Sequence, residues 1–207
     1  MSRMPEAYVA ARTTEIRDAA MRVFVRKGID AATMQDIAGE AGMSAGAIYR
    51  YFPGKEQLVQ AVFDYCREEN RALFEDGREQ GLSPLDALLG VGRTVWDEFG
   101  DPTARDRFAV RLAATLAGSQ QDDPLGSEMR RMHAEVLGRI DEAVRQVQEA
   151  GQLRQDIDAG SLALTILSCV QGLRMLFVEF DEEIDTEGVY GILTQMLRGF
   201  MPVQEED

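Results

Sequence analysis

The sequence predicts an all-α fold in two parts, a short three-helix bundle built around a helix-turn-helix and a larger helical part behind it. Three observations predict this. Apolar residues recur at spacings of three and four along the chain, and no run alternates with period two. Helix starts are marked by hydroxyl caps at Thr33, Ser44 and Ser83, and helix stops by glycines. Two of the short helices are separated by only Gly42 and Met43, so the chain must turn sharply between them.

Each element can be justified in order. Ile16, Ala19, Ala20, Val23 and Phe24 form one helical stripe that Lys27 and Gly28 close. Thr33, followed three residues later by Asp36, reads as a capping box opening a helix through Ile37, Ala38 and Ala41. Ser44 caps the third helix, and Lys55 begins a longer one carrying Leu58 and Val62. Ser83 with Pro84 is an N-cap and first-turn proline, followed by Leu85, Leu88, Leu89, Trp96 and Phe99. Gly100 to Pro102 breaks that helix, Phe108 and Leu112 stripe the next, and Gly118 to Pro124 is a second break. A long helix then runs from Leu125 to Gly151. Leu162 to Val178 is apolar almost all round and must be covered on two sides. Val189, Ile192, Leu193, Met196, Leu197 and Phe200 give the last helix a single stripe. Gln204 to Asp207 reads as a frayed tail.

Charge separates the two parts. The chain of 207 residues carries a formal net charge of -14. Residues 1–56 hold eight Arg and Lys against seven Asp and Glu, leaving 14 against 29 for the remainder. The acidity therefore belongs to the larger part, and both lysines lie in the smaller. The N-terminus has no apolar run and no stretch of about 18 consecutive apolar residues occurs, so neither a signal peptide nor a membrane span is expected, and the cytoplasm is the expected compartment. Cys66 and Cys169 stand far apart without metal-type spacing, which suits two buried hydrophobes. One histidine, no Gly-rich phosphate loop and no ligand cluster leave little for an enzyme, a metal site or a bound cofactor.

The stretch MSAGAIYRYFPGK, from Met43 to Lys55, carries the chemistry. A helix that enters the major groove needs close approach at its first turn, which favours Ser44, Ala45, Gly46 and Ala47. Hydroxyls and cations that follow, Tyr49, Arg50, Tyr51 and Lys55, can reach the sugar-phosphate rails and hold the helix in register. Phe52, one turn after Ile48, points back to Ile37 and Phe24 as core.

These residues, Thr33, Asp36-Ile37-Ala38, Ala41 to Ser44, Gly46, Tyr49, Tyr51-Phe52, Lys55 and Leu58, resemble the TetR family of bacterial transcriptional regulators over roughly residues 12–60. The resemblance implies phosphate contacts at Thr33, Tyr49, Tyr51 and Lys55, and base-facing positions at Ala45, Gly46, Ala47 and Arg50. It further implies a DNA-binding domain over 1–55 and a ligand-binding and dimerisation domain over 56–207. The partners implied are double-stranded operator DNA, a second copy of the chain and a small, mostly apolar inducer, with no membrane. The small residues at 45 and 47 leave Arg50, thymine methyls or DNA shape to read sequence. The all-round apolar 162–178 helix and the striped last helix independently suit a four-helix dimer seam.

For the inducer, Trp96, Phe99, Met129, Met132 and Phe177, with Phe108, Leu173 and Met175, supply apolar lining, although the same spacing suits plain core. His133 and Arg174 are the polar candidates beside them. The alternative function is a dimeric architectural or protein-regulated DNA binder with no small-molecule ligand.

Overall fold

The structure, a computed structural model, describes residues 5–79, 81–101, 104–117, 124–180 and 184–202. Among these residues all regular structure is helical. Packing divides the chain into two compact units, Met1–Glu68 with Ala109–Met129, and Glu69–Phe108 with Arg130–Asp207. The boundary expected at residue 55 falls at the start of a helix whose Leu58 and Val62 belong to the first unit's core, so packing carries that unit on to Glu68.

In the first unit, α1 (Glu6–Lys27) buries Ile16, Ala19, Ala20, Val23 and Phe24, the stripe its spacing predicts. It ends at Gly28, whose φ of +77° suits glycine and whose N–H donates to Phe24 O. The capping box opens α2 (Met34–Glu40), and Gly42 at φ +62° turns the chain into α3 (Ala45–Ile48). One core holds all three: Phe24, Ile37, Ile48 and Leu58 are nearly or fully buried and packed together, with Phe52, Val62 and Val110. Each such side chain stabilises the fold by about 1.5–3 kcal/mol relative to exposure. Further along α4 (Lys55–Glu79), the Arg67 guanidinium bonds the buried Glu128 carboxylate and also Asp64. Arg17 lies 3.5 Å from the Tyr65 ring centroid, a cation–π contact.

Two cores of the second unit lie among the described residues. Leu85 and Leu88 of α5 (Pro84–Asp97), Ile140, Val144 and Val147 of α7 (Pro124–Glu149), and Leu162 and Ala163 of α8 (Ala159–Glu179) form one. Gly151 at φ +71° ends α7, and the buried Gln148 amide donates to the carbonyls of Arg154 and Ile157. The other core gathers Trp96, Phe99 in the 3-10 turn Glu98–Gly100, Ala104 and Phe108 of α6 (Ala104–Ala117), and Leu173. Asp158 and Asp185 cap α8 and α9 (Thr186–Arg198) through Ser161 N and Gly188 N.

The expectations for the α9 stripe and for Met175 are corrected. The single stripe on α9 is two: Val189, Leu193 and Leu197 pack inward, while Ile192 and Met196 are 61% and 55% exposed. Adjacent apolar pairs at 192–193 and 196–197 span too wide an arc for one contact face. The helix α8 is long and apolar enough to cross a membrane by length and composition, although Leu162, Ala163 and Leu173 are buried in its own unit. Its Leu164, Met175 and Leu176 are exposed, so Met175 does not line an interior. Of the break expected from Gly118 to Pro124, residues 118–123 lie outside the described residues and Pro124 begins α7, and the tail at 204–207 also lies outside them.

Candidate nucleic-acid interface

The side chains around α2 are tied to one another. Thr33 Oγ1 accepts from Asp36 N at 3.2 Å and donates to Asp36 Oδ2 at 2.7 Å, while Thr33 N donates to the same oxygen at 3.0 Å. Lys27 Nζ donates to Asp36 Oδ1 at 2.6 Å. The lysine above all, and then Thr33, push the Asp36 carboxyl down to about 2. At the other end of α2, Glu40 accepts from Arg26 at 2.6 Å and Arg22 at 2.7 Å, and both guanidiniums, Arg26 first, hold it below the usual carboxylate range. A hydroxyl has one proton to give, so Thr33 in this arrangement directs both its donors to Asp36.

The next segment is open. Ser44 Oγ accepts from Ala47 N at 3.2 Å, which caps α3 and leaves its own proton for another acceptor. Only Ile48 of α3 is buried. Ala45 and Ala47 are half-buried, and a Cβ added to the exposed Gly46 would meet no atom within 4 Å, so nothing inside the protein demands glycine there. Tyr49 is 51% exposed and Arg50 is exposed, whereas Tyr51 is half-buried against the core. Lys55 Nζ donates to the carbonyl oxygens of Ile29 at 3.0 Å and Asp30 at 2.8 Å.

The cations of this unit thus differ in availability. Arg12 bonds Glu15, Arg17 bonds Asp18, Arg22 and Arg26 bond Glu40, and the two lysines are engaged as above. Arg50 is the exception among the described residues of the first 56. A small-residue first turn flanked by a free hydroxyl, an exposed phenol and an uncommitted guanidinium can approach a base edge closely and still reach phosphates.

The inducer candidates fall out differently. Trp96, Phe99 and Phe177 come together with Phe108 and Tyr190, at ring-centroid separations of 5.2–6.0 Å. Such spacing is that of rings packed on one another. Trp96 Nε1 donates to Thr186 O at 2.5 Å and Tyr190 OH to Leu89 O at 3.2 Å, which fastens α9 to α5. Arg174 lies 4.9 Å from the Phe108 centroid and donates to Glu98 and Gln171, each at 3.2 Å. Because Gln171 Oε1 accepts from Arg174, its amide nitrogen faces His133 Nε2 at 2.8 Å, and that ring nitrogen accepts. Met132 is buried in the same unit, whereas Met129 is counted in the first. Sequence reasoning missed Glu98 and Tyr190, each of which reaches its partners only through the tertiary fold.

Comparison with known proteins adds an independent line. A family model described as bacterial regulatory proteins, tetR family, matches residues 16–62. A second, described as BetI-type transcriptional repressor, C-terminal, matches residues 92–202. The HTH-type transcriptional repressor Rv1474c of Mycobacterium tuberculosis is 29% identical over 174 residues, 84% of this chain and 86% of that protein. The HTH-type transcriptional regulator TtgR of Pseudomonas putida is 28% identical over 183 residues, 84% and 83% of the two chains. Among solved structures, FadR of Bacillus subtilis in complex with stearoyl-CoA superposes with a TM-score of 0.70 at 18% identity, covering 91% of this chain and 99% of that one.

Proposed function

Because this chain belongs to the tetR family of bacterial regulatory proteins, we propose that it is a ligand-responsive repressor, a homodimer that holds operator DNA through α2 and α3 and is released by a small, mostly apolar inducer. The observation that carries the reading is α3 itself: Ile48 fixes it from inside, while Ser44, Gly46, Tyr49 and Arg50 remain outside. Ala45, Gly46 and Ala47 give clearance, Ser44 and Tyr49 reach phosphates, and Arg50 reads a base edge. The exposed Leu164, Met175 and Leu176 of α8 with Ile192 and Met196 of α9 form the seam to a second copy, which presents the other recognition helix one DNA turn away.

The inducer acts by preferring a conformation whose two recognition helices no longer match successive major grooves, since equal affinity for both conformations shifts nothing. Trp96, Phe99, Phe177 and Arg174 are the groups it rearranges. The stearoyl-CoA held by FadR supports an acyl chain as a ligand this fold accommodates. The closed packing of the aromatic rings favours a second reading, a dimeric DNA binder with no small-molecule ligand. A thermal-shift screen with lipophilic compounds, followed by fluorescence anisotropy on a bound duplex, separates the two. Stabilising compounds that release DNA support the repressor, and binding compounds that leave DNA affinity untouched support the second reading.

A further inference from the structure

Lysine occurs twice in this chain: Lys55 ends on the short connection between α1 and α2, and Lys27 on Asp36 in the first turn of α2. Residues 28–33 join α1 to α2, from Gly28 at φ +77° to the Thr33 cap. Among the described residues its own backbone supplies one internal bond, Ala32 N to Gly28 O at 3.2 Å. From the first residue of α4, Lys55 Nζ donates to Ile29 O at 3.0 Å and Asp30 O at 2.8 Å. From the last residue of α1, Lys27 Nζ reaches Asp36 Oδ1, whose carboxylate also takes Thr33 N and Oγ1. An ammonium has three donors and no acceptor, so two of the three on Lys55 are spent inside the protein. That is an unusual disposition for a cation whose task is to neutralise a phosphate, and it contrasts with the exposed Arg50.

We propose that Lys55 is a positioning residue for DNA recognition: it holds the carbonyls of Ile29 and Asp30, and through that connection sets the entry of α2 into the helix-turn-helix. The inference rests on the reading of α2 and α3 as the DNA-binding pair. Its consequence is measurable, because positioning and charge neutralisation leave different marks on salt dependence. A connection seated in only a fraction of molecules raises the apparent Kd by the inverse of that fraction. The competent molecules still make every phosphate contact, so the number of counterions released does not change. Losing one phosphate contact instead lowers the slope of log affinity against log salt by about 0.9.

The test uses the full-length protein and a duplex recovered by the wild type from random DNA, titrated between about 50 and 200 mM salt. Lys55→Met is expected to weaken binding about tenfold at every salt concentration, the effect of a connection seated in about one molecule in ten. The slope should stay within a few tenths of wild type, and amide exchange at Ala32 and Thr33 should quicken in the DNA-free protein. Lys55→Gln keeps N–H donors within reach but carries no charge, so it should recover part of the affinity and of the exchange protection. A slope lower by about one in both variants, with exchange at Ala32 and Thr33 unchanged, overturns the proposal. Should Lys55→Met fail to fold, Lys55→Gln alone decides, since slope and exchange are both read on it. Arg50→Ala is the control for the underlying reading: it should lose much of the preference for the selected duplex over a scrambled one whatever Lys55 does. A wild type that selects no duplex removes both the reading and this inference, whereas a binding wild type with a Lys55-dependent slope removes this inference alone.

Discussion

Replacing Ile48 by alanine tests how α3 is held. The side chain has no exposed surface and is the only buried residue of a four-residue helix. It packs in one core with Phe24, Ile37, Phe52 and Leu58. Ile48→Ala removes three carbons, and at about 0.8 kcal/mol for each the lost transfer comes to about 2.4 kcal/mol. The cavity left between rigid neighbours raises the cost to about 3–4 kcal/mol, whereas Ile48→Val, one carbon smaller, costs about 1 kcal/mol. The assay is native-state amide exchange at Ala20 and Val23, deep in the same core, across a urea series, which reports this unit without assuming that the whole chain unfolds as one. Operator affinity measured alongside should fall more than tenfold for alanine and only slightly for valine. An alanine variant costing less than about 1 kcal/mol, or binding DNA as tightly as wild type, would show that α3 is anchored by something other than this side chain.

The corrected α9 face makes Ile192→Asp with Met196→Asp the pair that should yield monomers in sedimentation, with helicity retained. Leu193→Asp should instead destabilise the chain itself, because it places a carboxylate in the Trp96 and Phe99 core. Asp36 has a depressed carboxyl, so it favours the folded state above its ordinary value of 3.8, and that contribution is lost as pH falls toward about 2. Urea stability of the first unit should therefore drop between about pH 4 and 2 more steeply for wild type than for Asp36→Asn, and equal slopes would contradict this. Trp96→Phe deletes the donor to Thr186 O and should cost about 1–3 kcal/mol in a melt of the second unit.

Much of this was legible in the sequence because it is local. Thr33, Ser44 and Ser83 each cap a helix through the residue three positions on, so pattern alone identifies them. The α1 stripe is as plain, since Ile16, Ala19, Ala20, Val23 and Phe24 obey one period. What escaped depends on distant partners. Nothing in the sequence near Lys55 indicates that it bonds carbonyls 25 and 26 residues earlier, or that Arg67 meets Glu128 61 residues away. The α9 stripe was misjudged because Ile192-Leu193 and Met196-Leu197 are equally apolar, and only packing against α5 decides which member turns inward. The inducer residues were the least legible, because a ring packed on other rings and a ring lining a ligand site share the same spacing.

The measurement that tests the central claim most directly is the ratio of affinities for a duplex selected from random DNA and a scrambled duplex of equal length, at one fixed salt concentration, for wild type and Arg50→Ala. Sequence-specific recognition through α3 requires the wild type to favour the selected duplex by about 10³-fold or more. Arg50→Ala should lose much of that preference, by the about 1–3 kcal/mol that a base-reading arginine supplies. A wild type that binds both duplexes equally, or an Arg50→Ala variant that keeps the full ratio, would contradict the assignment of α3 as the reading helix.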